Sequence, residues 1–135
     1  MINIISPPRD LLTSAINSMA GLEVPIFDSE SSDSESYPQI IIYVENSSDN
    51  NRAKNEVRSS YTLNIDYYDI KDNNNSVMID NCYFIRRLMK YLKLSSYSCT
   101  CVGYDERTLT DNSTAQTLRR QNMSFDYEIT EKTLF

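Results

Sequence analysis

The chain has 135 residues and a formal net charge of −6, with 13 Lys and Arg against 19 Asp and Glu, no histidine, two glycines and three cysteines. A chain of this length buries roughly two thirds of its unfolded surface, so one core over 1–135 is expected. An acid excess without a basic stripe argues against tracking nucleic acid, the lack of histidine removes the usual base for a serine or cysteine nucleophile, and Gly21 and Gly103 alone build neither a P-loop nor a dinucleotide fingerprint.

Met1 to Ile5 has no basic region ahead of a long apolar run, and nowhere does the chain approach the roughly 20 apolar residues that span a bilayer. The reading is a soluble protein, not secreted and without a membrane partner. Ser6-Pro7-Pro8 opens a helix, with serine as cap and proline in the first turn. Leu11, Leu12, Ala15, Ile16 and Met19 give it one apolar stripe to about Ala20, and Gly21 is the expected stop. Val24 to Phe27 is short and apolar, and Pro25 confines it to an edge or an irregular extended piece.

Asp28 to Ser36 alternates four acids with five serines and reads as a flexible acidic loop. Gln39 to Glu45 contains Ile40-Ile41-Ile42-Tyr43-Val44, β-branched enough for a strand interior to a sheet. Asn46 to Glu56 reads as the polar tip of a long hairpin, and Tyr61 to Tyr67 alternates as a half-buried returning strand. Asp72 to Ser76 offers caps for a second helix, about Val77 to Lys93, whose Met78, Cys82, Ile85, Met89 and Leu92 form its core stripe. Its other face carries Arg86, Arg87, Lys90 and Lys93. That face reads either as solvated or as a surface that meets an acidic segment, such as Asp28 to Ser36, on a neighbouring copy.

Tyr97 to Tyr104 reads as a strand, Asp105 to about Ser113 as a polar loop, and about Thr114 to Thr130 as a closing strand with Met123, Phe125, Tyr127 and Ile129 on the core side. The fold class is α+β in the order helix-strand-strand-helix-strand-strand, a mainly antiparallel or mixed sheet with both helices on one face.

Cys82, Cys99 and Cys101 have no framework or zinc spacing and read as small hydrophobes with free thiols. The acidic serine run lacks the glycine and closing glutamate of a calcium loop. Unburied carboxylates keep ordinary pKa values and are poor general acids, so no enzyme, cofactor or metal is expected.

Pro25-Ile26-Phe27-Asp28, Tyr37-Pro38-Gln39-Ile40-Ile41-Ile42-Tyr43, the Tyr61 to Tyr67 strand, the second helix, Gly103-Tyr104-Asp105 and Phe125-Asp126-Tyr127-Glu128-Ile129 together resemble the tail terminator, or tail completion, proteins of long-tailed bacteriophages, lambda-like ones included. The resemblance implies a ring, usually a homohexamer, that binds the last ring of the major tail tube protein, stops its growth and joins the head through a head-completion or stopper protein. DNA would be only passing cargo, and the ring would sit at the head-tail junction of the virion after assembly in the host cytoplasm. Under this reading the polar hairpin Gly103 to Arg120, with Asp105, Glu106, Arg107, Asp111, Arg119 and Arg120, is a channel-side or tube-contacting surface, and Arg86 and Lys90 belong to contacts between copies. The runners-up are a head-completion or stopper protein and, from another class, a small ligand-binding α+β module.

Overall fold

Two helices lie on one face of a five-stranded mixed sheet. The computed structural model describes residues 5–28, 37–50, 56–71, 75–112 and 116–132. Most of the expected acidic loop (29–36) and the centre of the expected hairpin tip (51–55) lie outside the described residues.

Helix α1 spans Pro7–Ser18, with the Ser6 hydroxyl accepting from the Arg9 N–H at 3.4 Å and the prolines in the first turn, as the sequence predicts. It ends before Gly21: Met19 is its cap, a single 3-10 turn covers Ala20–Leu22, and the left-handed residue is Glu23, at φ 58°. Strand β1, Ile26–Asp28, corrects the expected order. The Pro25 segment leads into a true edge strand, parallel to β2, because the Pro25 carbonyl accepts the Ile40 N–H at 2.9 Å while proline itself need donate nothing.

Strands β2 (Gln39–Asn50) and β3 (Glu56–Ile70) pair antiparallel, and α2 (Ser76–Lys90) leads to β4 (Ser98–Asp111) and β5 (Leu118–Lys132). The sheet order is β1-β2-β3-β5-β4, so the last strand fills the interior and β4 is an edge. A second correction concerns the polar segment after Tyr104. It is strand through Asp111, since every residue from Gly103 to Asp111 has a partner on β5, and charged side chains are tolerated there because an edge strand leaves them room to reach water.

Register places Ile42, Ile65 and Met123 in one row beneath the helices, and Val44, Leu63 and Phe125 in the next. Leu11, Ala15 and Met19 of α1 and Met78, Cys82, Ile85 and Met89 of α2 complete the same cluster. At β4 those rows end in Glu106 and Tyr104, so the core turns polar under one flank of α2. A bulge between Cys101 and Gly103 keeps Cys99, Cys101, Tyr104 and Glu106 all on the helix side. Gly103 is needed there because a Cβ would stand 2.8 Å from Asp126 Oδ2.

Polar bonds fix the helices in position. Asp10 is almost fully buried and accepts from the Ser95 and Ser96 N–H groups at 3.3 and 2.8 Å and from the Ser95 and Ser14 hydroxyls at 2.8 and 3.2 Å, tying α1 to the segment before β4. The Asn81 amide donates to the Tyr67 hydroxyl at 2.9 Å, and the buried Tyr127 hydroxyl donates to the Met89 carbonyl.

Candidate functional site

Helix α2 is apolar on more than its core side. Besides the five core residues predicted, Val77, Phe84, Leu88 and Tyr91 recur at steps of seven, four and three, which puts them on one flank, and all are exposed, Tyr91 at 73% and Val77 at 69%. Phe84, Leu88 and Tyr91, with Ser18, Gly21, Leu22 and Arg87, line an apolar groove of about 320 Å³ between α2 and the end of α1. A Cβ added to Gly21 would meet nothing within 4 Å, so the groove floor is open at that point.

The opposite flank of α2 faces β4 and is charged. Arg86 makes a two-pronged pair with Glu106, Nε to Oε1 at 3.1 Å and the terminal nitrogen to Oε2 at 3.0 Å, and its Nε also lies 2.9 Å from the Tyr104 hydroxyl. Tyr104 and Gln121 both donate to Glu106, Thr108 donates to Gln121 at 2.7 Å, and Lys90 Nζ stands 4.9 Å from the Tyr104 ring centre. Burial would push the Glu106 carboxyl up, but the hydrogen bonds from Arg86, Tyr104 and Gln121 outweigh it and hold it below the ordinary range. The Tyr104 phenol, desolvated and beside that carboxylate, is pushed up to about 12. Between this network and α2 lies a cavity of about 290 Å³ lined by Met78, Ile79, Cys82, Arg86, Glu106, Thr108, Arg119 and Gln121.

The structure therefore divides the residues that sequence reasoning grouped on one hairpin. Alternation along β4 and β5 sends Glu106 and Arg119 to the helix side and Asp105, Arg107 and Arg120 to the open side. Asp105 and Arg107 pair with each other at 3.2 Å, both well exposed. Arg120 instead binds the buried Asp66 through 3.0 and 3.2 Å contacts and lies over the Tyr68 ring, and Asn122 donates to Asp66 at 2.8 Å. Asp111 ends β4 opposite Leu118. Arg86, expected on a free basic face, is committed within its own chain, and Lys90 is exposed beside it.

The three thiols are free, with Cys82 buried and Cys99 and Cys101 partly so. Burial pushes Cys82 up to about 12 and raises the other two, so at neutral pH they are protonated and poor nucleophiles. Among the described residues no group of three or more His, Cys, Asp or Glu is placed to hold a metal ion, and no helix is long and apolar enough to cross a membrane.

No known protein family and no curated protein matches the chain in sequence. Among solved structures of similar fold is that of a protein of unknown function, with a TM-score of 0.55 at 10% identity, over 92% of this chain and 96% of that one. That likeness concerns the fold alone.

Proposed function

We propose that this chain is a structural protein of a long-tailed bacteriophage, a tail terminator whose copies form a ring on the end of the tail tube, halt its polymerisation and offer the surface that joins the head. The reading rests on the resemblance carried by the Tyr37 to Tyr43, Tyr61 to Tyr67, Gly103 to Asp105 and Phe125 to Ile129 segments. The observation that carries it furthest is the exposed flank of α2. Phe84, Leu88 and Tyr91, which share a groove with Gly21 and Leu22, form an apolar face rimmed by Arg87, with Val77 exposed further along the same flank, the kind of surface that soluble chains reserve for contacts. Its proposed occupant is a neighbouring copy in the ring, and the acid excess of the chain suits a contact rimmed by cations. The open side of the sheet, with Asp105, Arg107 and Arg120, is the polar surface proposed for the tube or channel.

Polymerising tail-tube protein in the presence of the chain tests this. Tubes whose growth stops, with the chain bound at their ends, are expected. Tubes of unchanged length with no bound chain would remove the terminator reading and leave a head-completion or stopper role, in which the same face contacts neighbours elsewhere in the neck. The small-ligand alternative is favoured by a different observation, the cavity beside Arg119.

A further inference from the structure

Arg119 is anomalous among the charged groups of this fold. It enters β5 on the helix side, directly beneath α2, and its Nε is buried without a hydrogen-bond acceptor among the described residues. A buried donor left unsatisfied is costly, the more so on a charged group. The nearby carboxylate cannot relieve it, because Glu106 already accepts from Arg86, Tyr104 and Gln121. Two guanidinium groups thus face one carboxylate across the cavity wall, and one positive charge is left over. The rest of the lining is Met78, Ile79 and the thiol of Cys82 on the α2 side, and Thr108 and Gln121 on the sheet side, which are bonded to each other and, through Gln121, to Glu106.

We propose that this cavity is a binding site for a carboxylate carried on a short apolar body, held by Arg119. The charge count selects a monoanion, since a phosphate dianion would place its second charge against Glu106. The planar guanidinium matches a carboxylate in two-pronged fashion, and an amine would meet two cations. Met78, Ile79 and Cys82 suit a carbon chain better than a sugar or a second charged group. The volume, about 290 Å³, takes a small acid or the tip of an acidic side chain. Free small acid and protein-borne carboxylate share this chemistry. The site is independent of the ring reading, because every lining residue belongs to one copy.

The test uses the full chain with isotope-labelled arginine, titrated with sodium pentanoate at constant ionic strength, with pentanol as the neutral control and a peptide of the chain's own Asp28 to Ser36 sequence as the protein-borne probe. The Arg119 Nε–H resonance should shift saturably with pentanoate, with the peptide or with both, and not with pentanol. Pentanoate alone would assign the site to a free acid, and the peptide alone to a protein partner. Arg119→Gln should abolish the response while leaving the melting temperature unchanged or raised, since it removes the unsatisfied buried Nε–H of a half-buried side chain. Arg119→Lys, which keeps the charge but not the fork, should weaken binding about tenfold and serves if the glutamine variant fails to fold. No saturable shift with either probe, or a shift that survives loss of the guanidinium, would overturn the proposal.

Discussion

Helices α1 and α2 cover the same face of the same sheet, but only one of them is completed by the fold it belongs to. α1 buries Leu11, Ala15 and Met19 and turns Arg9, Thr13 and Asn17 to water, the arrangement of a surface helix with one apolar stripe. α2 buries an equivalent stripe and then exposes a second, Val77, Phe84, Leu88 and Tyr91, along the flank that looks toward α1. Folding the single chain accounts for the first two stripes and not the third. The difference separates residues that hold the monomer together from residues available to a neighbour.

Mutations on the two helices should expose that separation. The largest effects are expected where the helices are alike: Leu11→Ala in α1 and Ile85→Ala in α2 should each cost about 2–5 kcal/mol in denaturant unfolding, because both side chains are fully buried. Equal losses with no change specific to assembly would match the comparison. Next comes the exposed stripe of α2. Phe84→Asp with Leu88→Asp should weaken association by roughly 100-fold, about 2.7 kcal/mol, while shifting monomer stability by about 0.5 kcal/mol or less. The matched pair on α1, Thr13→Asp with Asn17→Asp, should leave association unchanged. Gly21→Glu reaches the same groove from the α1 side without a clash and should act in the same sense.

Asp10 gives a third, smaller effect. Burial alone would raise its carboxyl, but the bonds from Ser96, Ser95 and Ser14 outweigh that and hold it below its ordinary value. A carboxylate depressed in the folded state adds stability at neutral pH that is lost as pH falls through its folded value. Asp10→Asn should cost about 1–3 kcal/mol at neutral pH, and the difference from the parent chain should shrink in acid, as read by thermal melts across pH. Smaller still, Arg86→Glu should cost about 1 kcal/mol of monomer stability through loss of the partly exposed Glu106 pair, and the exchange Arg86→Glu with Glu106→Arg should recover part of it. Full loss of association by Arg86→Glu with an unchanged melt would instead return Arg86 to the surface between copies.

Much of this fold is legible in the chain. Ser6-Pro7-Pro8 marks the start of α1, the four- and three-residue steps from Met78 to Met89 give the buried side of α2, which ends at Lys90, short of the expected Lys93, and Met123 to Ile129 alternate with the phase observed. What escapes notice is set by partners distant in sequence. β1 is a strand only because β2 supplies parallel partners, and Asp105 to Asp111 becomes strand only because β5 lies alongside. Pro25 leaves the first readable as an edge or an irregular extended piece, and polarity alone reads the second as a loop. The pairing of Arg86 with Glu106, and of Arg120 with Asp66, likewise depends on register, so charges adjacent in sequence end on opposite sides of the sheet. The second apolar stripe of α2 was readable, since Val77, Phe84, Leu88 and Tyr91 hold helical spacing. The basic residues between them masked it.

The solution mass of the chain, alone and with tail-tube protein, is the most direct measure of whether that stripe is an interface. A closed multiple of the protomer mass, formed alone or on the tube and lost in the Phe84→Asp and Leu88→Asp variant, is the predicted result. A chain that stays monomeric under both conditions, or a ring that forms equally well with both aspartates in place, would contradict it.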